Sequence, residues 1–155
     1  MIALVQRVTQ ASVTVAADTD QQADYHRAIG PGLCILLGVE QGDDDACARW
    51  MAGKLARLRI FRDDQDKMNR SVQDVAGEIL LISQFTLAGD CAKGNRPSFV
   101  RAAQPQLGRE LYHRVAQLLV EDHDIPVATG IFGASMQVTL TNDGPVTLIV
   151  RSGAV

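Results

Sequence analysis

The stretch that most narrows the fold is Leu33 to Val39, an unbroken apolar run. It falls far short of the ~20 apolar residues a bilayer requires and has the length of a strand buried in a core. A second buried strand is expected from Glu78 to Phe85. Between them, Asp43-Asp44-Asp45 opens a helix, since acidic side chains suit the positive end of the helix dipole. Cys47, Trp50, Met51, Leu55 and Leu58 follow at helical spacing and form its apolar stripe. Pro105 suits the first turn of a second helix, whose stripe is Leu107, Leu111, Val115, Leu118 and Leu119.

The two ends of the chain alternate instead. Ile2, Leu4 and Val8 fall on one strand face, with Ala3, Val5, Arg7 and Thr9 on the other. Val13 and Val15 continue the pattern, giving two strands or one long bent strand. Residues 16–29 are polar and irregular and read as a surface loop, followed by a Gly30-Pro31-Gly32 turn. Asp63 to Asp66 is a turn, and the Gly-rich, charged segment from Ala88 to Arg96 is a loop. Met136 to Thr141 and Val146 to Arg151 are two more alternating strands, joined by Asn142-Asp143-Gly144-Pro145 as a hairpin turn. The order β-β-β-α-β-α-β-β indicates one mixed α/β domain over residues 1–155. A chain of 155 residues can bury a real core without staples.

Composition narrows the function. No signal peptide is expected, because Gln6 and Arg7 interrupt the opening apolar residues too early. The chain therefore reads as soluble and cytoplasmic, without a membrane partner. Cys34, Cys47 and Cys91 are odd in number and lack CxxC spacing, which argues against a disulfide framework and a zinc site. The formal charge of -3 does not advertise nucleic-acid binding, so any RNA contact should be local, at a terminus.

The usual catalytic sets are absent. His113 and His123 sit among charged residues on or after the second helix and read as surface histidines, and no GxSxG elbow surrounds Ser83. Cys34 lies inside an apolar run and reads as inert core. Two polar stretches stand out. Ser83-Gln84-Phe85-Thr86 ends a buried strand, where side chains can face a pocket from a rigid backbone. It also reads as a strand terminus bonded to its own backbone, the plainer reading on pattern alone. Asn142-Asp143-Gly144-Pro145 reads as a hairpin, but Pro145 cannot donate to a sheet where the return strand begins.

Four blocks together resemble the D-aminoacyl-tRNA deacylase family: Ser83 to Leu87, Gly94 to Phe99, Gly130 to Met136, and Asn142 to Thr147. The opening Met1 to Val8 and the Gly30 to Leu33 turn also match, so the resemblance runs the length of the chain. Residues 17–28 depart from it, being longer and more polar than the hairpin expected there. The resemblance implies hydrolysis of the ester between a D-amino acid, or glycine, and the 3′-terminal adenosine of tRNA. L-aminoacyl-tRNA would be rejected. It implies no cofactor and no metal, and a homodimer whose sites are completed across subunits. By resemblance Ser83, Gln84, Phe85 and Thr86 form the catalytic pocket. Gly144 and Pro145 would be a cis dipeptide reaching the partner's site, with Arg7 steadying its carbonyls. Phe132, Ala134 and Met136 would also bind substrate. Lys93, Arg96 and Arg101 are candidates to meet tRNA phosphates. Three other readings stay open on the residues: a non-catalytic RNA-end module, a small-ester hydrolase using Ser83, and a structural dimer module.

Overall fold

The computed structural model describes residues 1–15 and 25–153. The loop expected over residues 16–24, and so most of the 17–28 departure, lies outside the described residues. Two parallel strands form the centre, β3 (Gly32–Gly38) and β6 (Glu78–Ser83), paired from Gly32↔Glu78 to Leu37↔Ser83. Their close start requires Gly32, where a Cβ would lie 1.9 Å from the Glu78 carbonyl oxygen. The strands are numbered in chain order. β1 (Ile2–Val15) is one long antiparallel strand beside β3, and β7 (Val127–Thr129) runs parallel to β6. The crossovers from β3 to β6 and from β6 to β7 carry α1 (Asp45–Arg57) and α2 (Pro105–Glu121), as parallel pairing requires a long return.

Both helices cover one face of the sheet. Ala3, Val5, Leu33, Ile35, Leu37, Ile79 and Leu81 meet Met51, Leu55, Leu111, Val115 and Leu119 in the main core. α1 starts where Asp44 caps it, accepting a hydrogen bond from Cys47 N at 2.9 Å. Asp43 lies before the helix and accepts instead from Glu40 N. Ala48, Ala52 and Ala56 are buried, and small side chains let the two helices approach. Trp50 departs from its expected stripe: it is 45% exposed, with the Lys54 ammonium over its ring. At about 100° per residue Ala48, Met51, Ala52, Leu55 and Ala56 share the buried face, and Trp50 falls on the opposite side of the helix.

The other sheet face is covered by the far halves of the end strands. Val8, Ala11 and Val13 join Cys34, Leu80 and Ile82, with Val138 and Leu140 packed on them from β8 (Gln137–Arg151). β2 (Tyr25–Ile29) pairs with the end of β1, so the expected loop over 16–29 is corrected at its last five residues. Tyr25 Oη donates to the Thr129 carbonyl of β7 at 2.7 Å, drawing the sheet's two edges together. The turn at Asp63–Asp66 is the tip of a small hairpin, β4 (Phe61–Arg62) with β5 (Met68–Arg70).

The largest correction concerns Asn142-Asp143-Gly144-Pro145. It is no hairpin. β8 is one strand along β1, with Ile2↔Arg151 to Gln6↔Thr147 on one side of the interruption and Gln10↔Thr141 to Thr14↔Gln137 on the other. Residues 143–146 loop out opposite Arg7, between the pairs Gln6↔Thr147 and Val8↔Asn142. β8 gains two residues overall against β1, an even number, so its alternation resumes on the same faces.

Candidate active site

The parallel strands β3 and β6 both end at one cavity of about 520 Å³. Open α/β sheets place ligand sites at the carboxyl ends of their strands, and this volume suits a small ligand. Its floor is Leu37, Val39, Ile82 and Ser83, and α2 supplies Gly108 and Tyr112. Gly108 leaves room in the helix for Phe132, whose ring would lie 3.4 Å from a Cβ there.

β6 stops at Ser83, two residues short of the expected Phe85. Gln84 N still donates to the Leu37 carbonyl at 2.8 Å, then the chain turns into a 3-10 helix, Phe85–Ala88. The turn aims Ser83, Gln84 and Phe85 into the cavity and carries Thr86 just past its wall, where the Gln84 amide donates to the Thr86 hydroxyl. Phe132, Ala134 and Met136 line the opposite side. Six of the ten expected site residues therefore share one cavity.

Among the described residues the lining holds no carboxylate, imidazole, amine, guanidinium or thiol. The one ionisable group among the described lining residues is the Tyr112 phenol, buried and donating to the Leu81 carbonyl at 2.7 Å. Burial pushes that phenol well above its ordinary range, so it stays neutral. His113 is exposed on α2, outside the lining. Cys34 is fully buried in the second core, and burial pushes its thiol up to about 11. No group of three metal-ligating side chains occurs among the described residues, and no helix is long and apolar enough to cross a membrane.

Arg7, Gly144 and Pro145 stand apart from this cavity in the protomer. Arg7 faces Leu33 across the ladder, whereas the cavity begins at Leu37, four residues on and roughly 13 Å along the strand. The Arg7 side chain is buried beneath the bulge. Nη1 donates to the Ile60 carbonyl at 2.6 Å, and Nε lies 2.8 Å from Asp143 Oδ2, an ionic contact without hydrogen-bond alignment. Its Nη2 would touch a Cβ on Gly144 at 3.1 Å. Asn142 closes the base of the bulge, donating to Thr147 Oγ1 at 2.7 Å and accepting from Val146 N at 3.1 Å. Gly144 has φ of +122°, a region that excludes most side chains, and the Gly144-Pro145 bond is cis. Both residues are exposed.

Tyr112 and Gly108 were missed in the sequence. A phenol inside a helix's apolar stripe needs a buried partner, and a glycine within a helix costs up to about 1 kcal/mol, so each was a signal.

The family model for D-Tyr-tRNA(Tyr) deacylase matches residues 4–151. The D-aminoacyl-tRNA deacylase of Desulfitobacterium hafniense (strain DSM 10664 / DCB-2) is 53% identical over 152 residues, covering 98% of this chain and 97% of its own. That of Geobacter sulfurreducens (strain ATCC 51573 / DSM 12127 / PCA) is 55% identical over 150 residues, with 97% and 94% covered. A solved structure of a c-Myc DNA Unwinding Element Binding Protein has a TM-score of 0.88 at 40% identity, covering 99% of this chain and 100% of that one. A probable eukaryotic D-amino acid tRNA deacylase shares the fold at a TM-score of 0.75 and 19% identity, with 96% and 97% covered. Matched by the family model from residue 4 to residue 151 and more than half identical to such deacylases over nearly its whole length, this chain belongs to the D-Tyr-tRNA(Tyr) deacylase family.

Proposed function

We propose that this chain hydrolyses the ester linking a D-amino acid, or glycine, to the 3′-terminal adenosine of tRNA, and leaves L-aminoacyl-tRNA intact. Deacylation of D-aminoacyl-tRNA is the activity of the family to which it belongs. The observation that carries the reading is the chemistry of the cavity lining: hydrogen-bonding side chains at a strand end, with Tyr112 as the sole ionisable group among the described residues and no acid or base among them that titrates near neutrality. Such a wall can hold and orient an ester that is already activated, while supplying no general base of its own. Ser83 and Gln84 would hold the adenosine and the ester. Backbone N–H groups at the 3-10 turn would stabilise the oxyanion, commonly a large term in acyl transfer. The ribose 2′-hydroxyl would position or activate water.

Discrimination needs a second element. Side-chain pockets separate apolar groups by only ~1–3 kcal/mol, and D-residues share no side chain. They share the arrangement around Cα. Rigid carbonyls at Gly144 and Pro145 would accept from the substrate amino group and occupy the space an L side chain needs. Glycine, with nothing to clash, would pass. Since that dipeptide lies away from the cavity of its own protomer, it would serve the cavity of a second copy. Ile149, exposed on the strand that carries the bulge, would contribute apolar surface to a homodimer. Such a substrate would put the protein with translation, in the cytoplasm.

Incubation with D-Tyr-tRNA, Gly-tRNA and L-Tyr-tRNA tests the activity. Release is expected from the first two and not the third; intact D-Tyr-tRNA overturns the reading. The source of the base is tested separately. Thr86→Ala is expected to retain turnover and a 2′-deoxy substrate to lose it, and the opposite pattern makes Thr86 the nucleophile.

A further inference from the structure

At the mouth of the cavity stands an aromatic surface that ester hydrolysis does not use. Phe85 is 59% exposed and Phe99 38% exposed. Their rings meet edge to face, with centroids 5.2 Å apart. Phe99 is seated firmly: a Cβ on Gly89 would lie 2.9 Å from its ring. Asp90 and Ser98 exchange two backbone hydrogen bonds, at 2.8 and 2.9 Å, and pin the ends of the loop before it. The loop projects Lys93 and Arg96, both exposed and without an ion pair among the described residues. Arg101, by contrast, is committed to Glu40 at 2.7 Å.

We propose that Phe99, beside Phe85, is a second nucleotide subsite, which stacks the base preceding the terminal adenosine while Lys93 and Arg96 meet the connecting phosphates. This rests on the reading of the cavity as the site of the adenosine and its ester. An RNA strand whose last nucleoside fills the cavity must leave through the mouth, past Phe85. Exposed aromatic rings flanked by free cations are how proteins hold single-stranded RNA ends, because every base offers a face to stack and every linkage a charge. Val100, next to Phe99, is exposed and apolar, but Lys93 to Ser98 on the other side are polar, charged, glycine or proline, and the two unpaired cations among them favour RNA over an apolar protein surface. With a formal charge of -3, contacts confined to the strand end are the ones the chain can make.

The test compares two unacylated probes, adenosine and the trinucleotide CpCpA, by equilibrium titration of the full chain. Wild-type protein is expected to bind CpCpA more tightly than adenosine. Phe99→Ala should remove roughly 5- to 150-fold of that gain, the effect of one lost stacked base, and leave adenosine binding unchanged. Phe99→Trp should restore it. Lys93→Ala/Arg96→Ala should flatten the salt dependence of CpCpA binding by about 0.7 in log–log slope per lost phosphate contact. Equal affinity of wild type for the two probes overturns the proposal. So does a Phe99→Ala loss shared equally by both, which marks a structural role. A Phe99→Ala protein that keeps its CpCpA affinity but loses its oligomeric state overturns it too, assigning the surface to a partner chain. Hydrolysis plays no part in these readouts, so failure of the deacylase reading shows separately, as intact D-Tyr-tRNA.

Discussion

The strand end at Ser83–Gln84 and the bulge at Asn142–Val146 use the chain in opposite ways. At the strand end the backbone is spent: β6 pairs with β3 as far as Leu37↔Ser83, and Gln84 N donates to Leu37. The side chains are what remain, and they face the cavity. At the bulge the side chains are spent instead. Asn142 bonds to Thr147 and Val146, and Asp143 pairs with Arg7. What remains exposed is Gly144-Pro145, a dipeptide with almost no side chain. Side chains discriminate among functional groups, whereas fixed backbone atoms discriminate by position alone. Under the proposed function, a site that accepts any side chain and refuses one handedness would need both, and the strand end and the bulge would supply them from separate elements.

Arg7 is where the comparison breaks most readily. Arg7→Ala removes a buried cation that bonds to the Ile60 carbonyl and pairs with Asp143, and leaves both without it. A stability loss of about 1–3 kcal/mol is expected by denaturant melts, since the buried Ile60 carbonyl left unpaired bears its desolvation cost while half-exposed Asp143 is rehydrated. Deacylation should fall by about 100-fold or more, because a displacement of ~1 Å at a positioning group suffices for that. Mixing Arg7→Ala with Gln84→Ala protein sharpens the result. If the bulge of one chain serves the cavity of another, half the sites of a mixed dimer are intact and activity returns. No recovery in mixed dimers places bulge and cavity in the same chain. Gly144→Ala is expected to be the next largest effect. At φ of +122° the new Cβ would lie 2.8 Å from Val146 Cγ2 and 3.1 Å from Arg7 Nη2. A stability loss of about 1–3 kcal/mol follows from such strain, with a larger fall in D-Tyr-tRNA turnover than in adenosine binding. Equal falls in both would mean that the bulge supports the cavity wall and not the discrimination.

The strand end was legible because local pattern determines it: an apolar run stops, polar residues follow, and β6 ends within two residues of the expected point. α2 was legible for the same reason, with Pro105 in its first turn and Leu111, Val115, Leu118 and Leu119 all buried. The bulge was misread because its pattern is local and its cause is not. Two alternating segments flanking Asn-Asp-Gly-Pro describe a hairpin and a bulged strand equally well. Which one forms depends on whether both segments find the same partner, and that partner is β1, more than 120 residues earlier. β2 and β7 were missed because burial hardly marks them: only Ile29 of β2 is buried, and the three residues of β7 are half-buried. Cross-strand pairing holds them in the sheet, and composition carries no record of it.

The smallest expected effect tests whether the cavity, unlike the bulge, tolerates change. Gly108 lies in the interior of α2, where glycine is about 1 kcal/mol less favourable than alanine. A Cβ there would rest 3.4 Å from Phe132 Cζ, an ordinary contact. Gly108→Ala is therefore expected to raise stability, by up to about 1 kcal/mol in a denaturant melt. The added methyl narrows the wall where Phe132 faces Tyr112, 5.9 Å between ring centroids, and any shift of Phe132 costs substrate fit. Turnover of D-Tyr-tRNA should fall only a few-fold, through KM more than kcat, since uniform binding is what a cavity wall supplies. Selectivity for D over L should not move, because Gly108 touches nothing on the bulge. A change in that selectivity would mean that the wall and the bulge judge the substrate together, and that the separation of their tasks is incomplete.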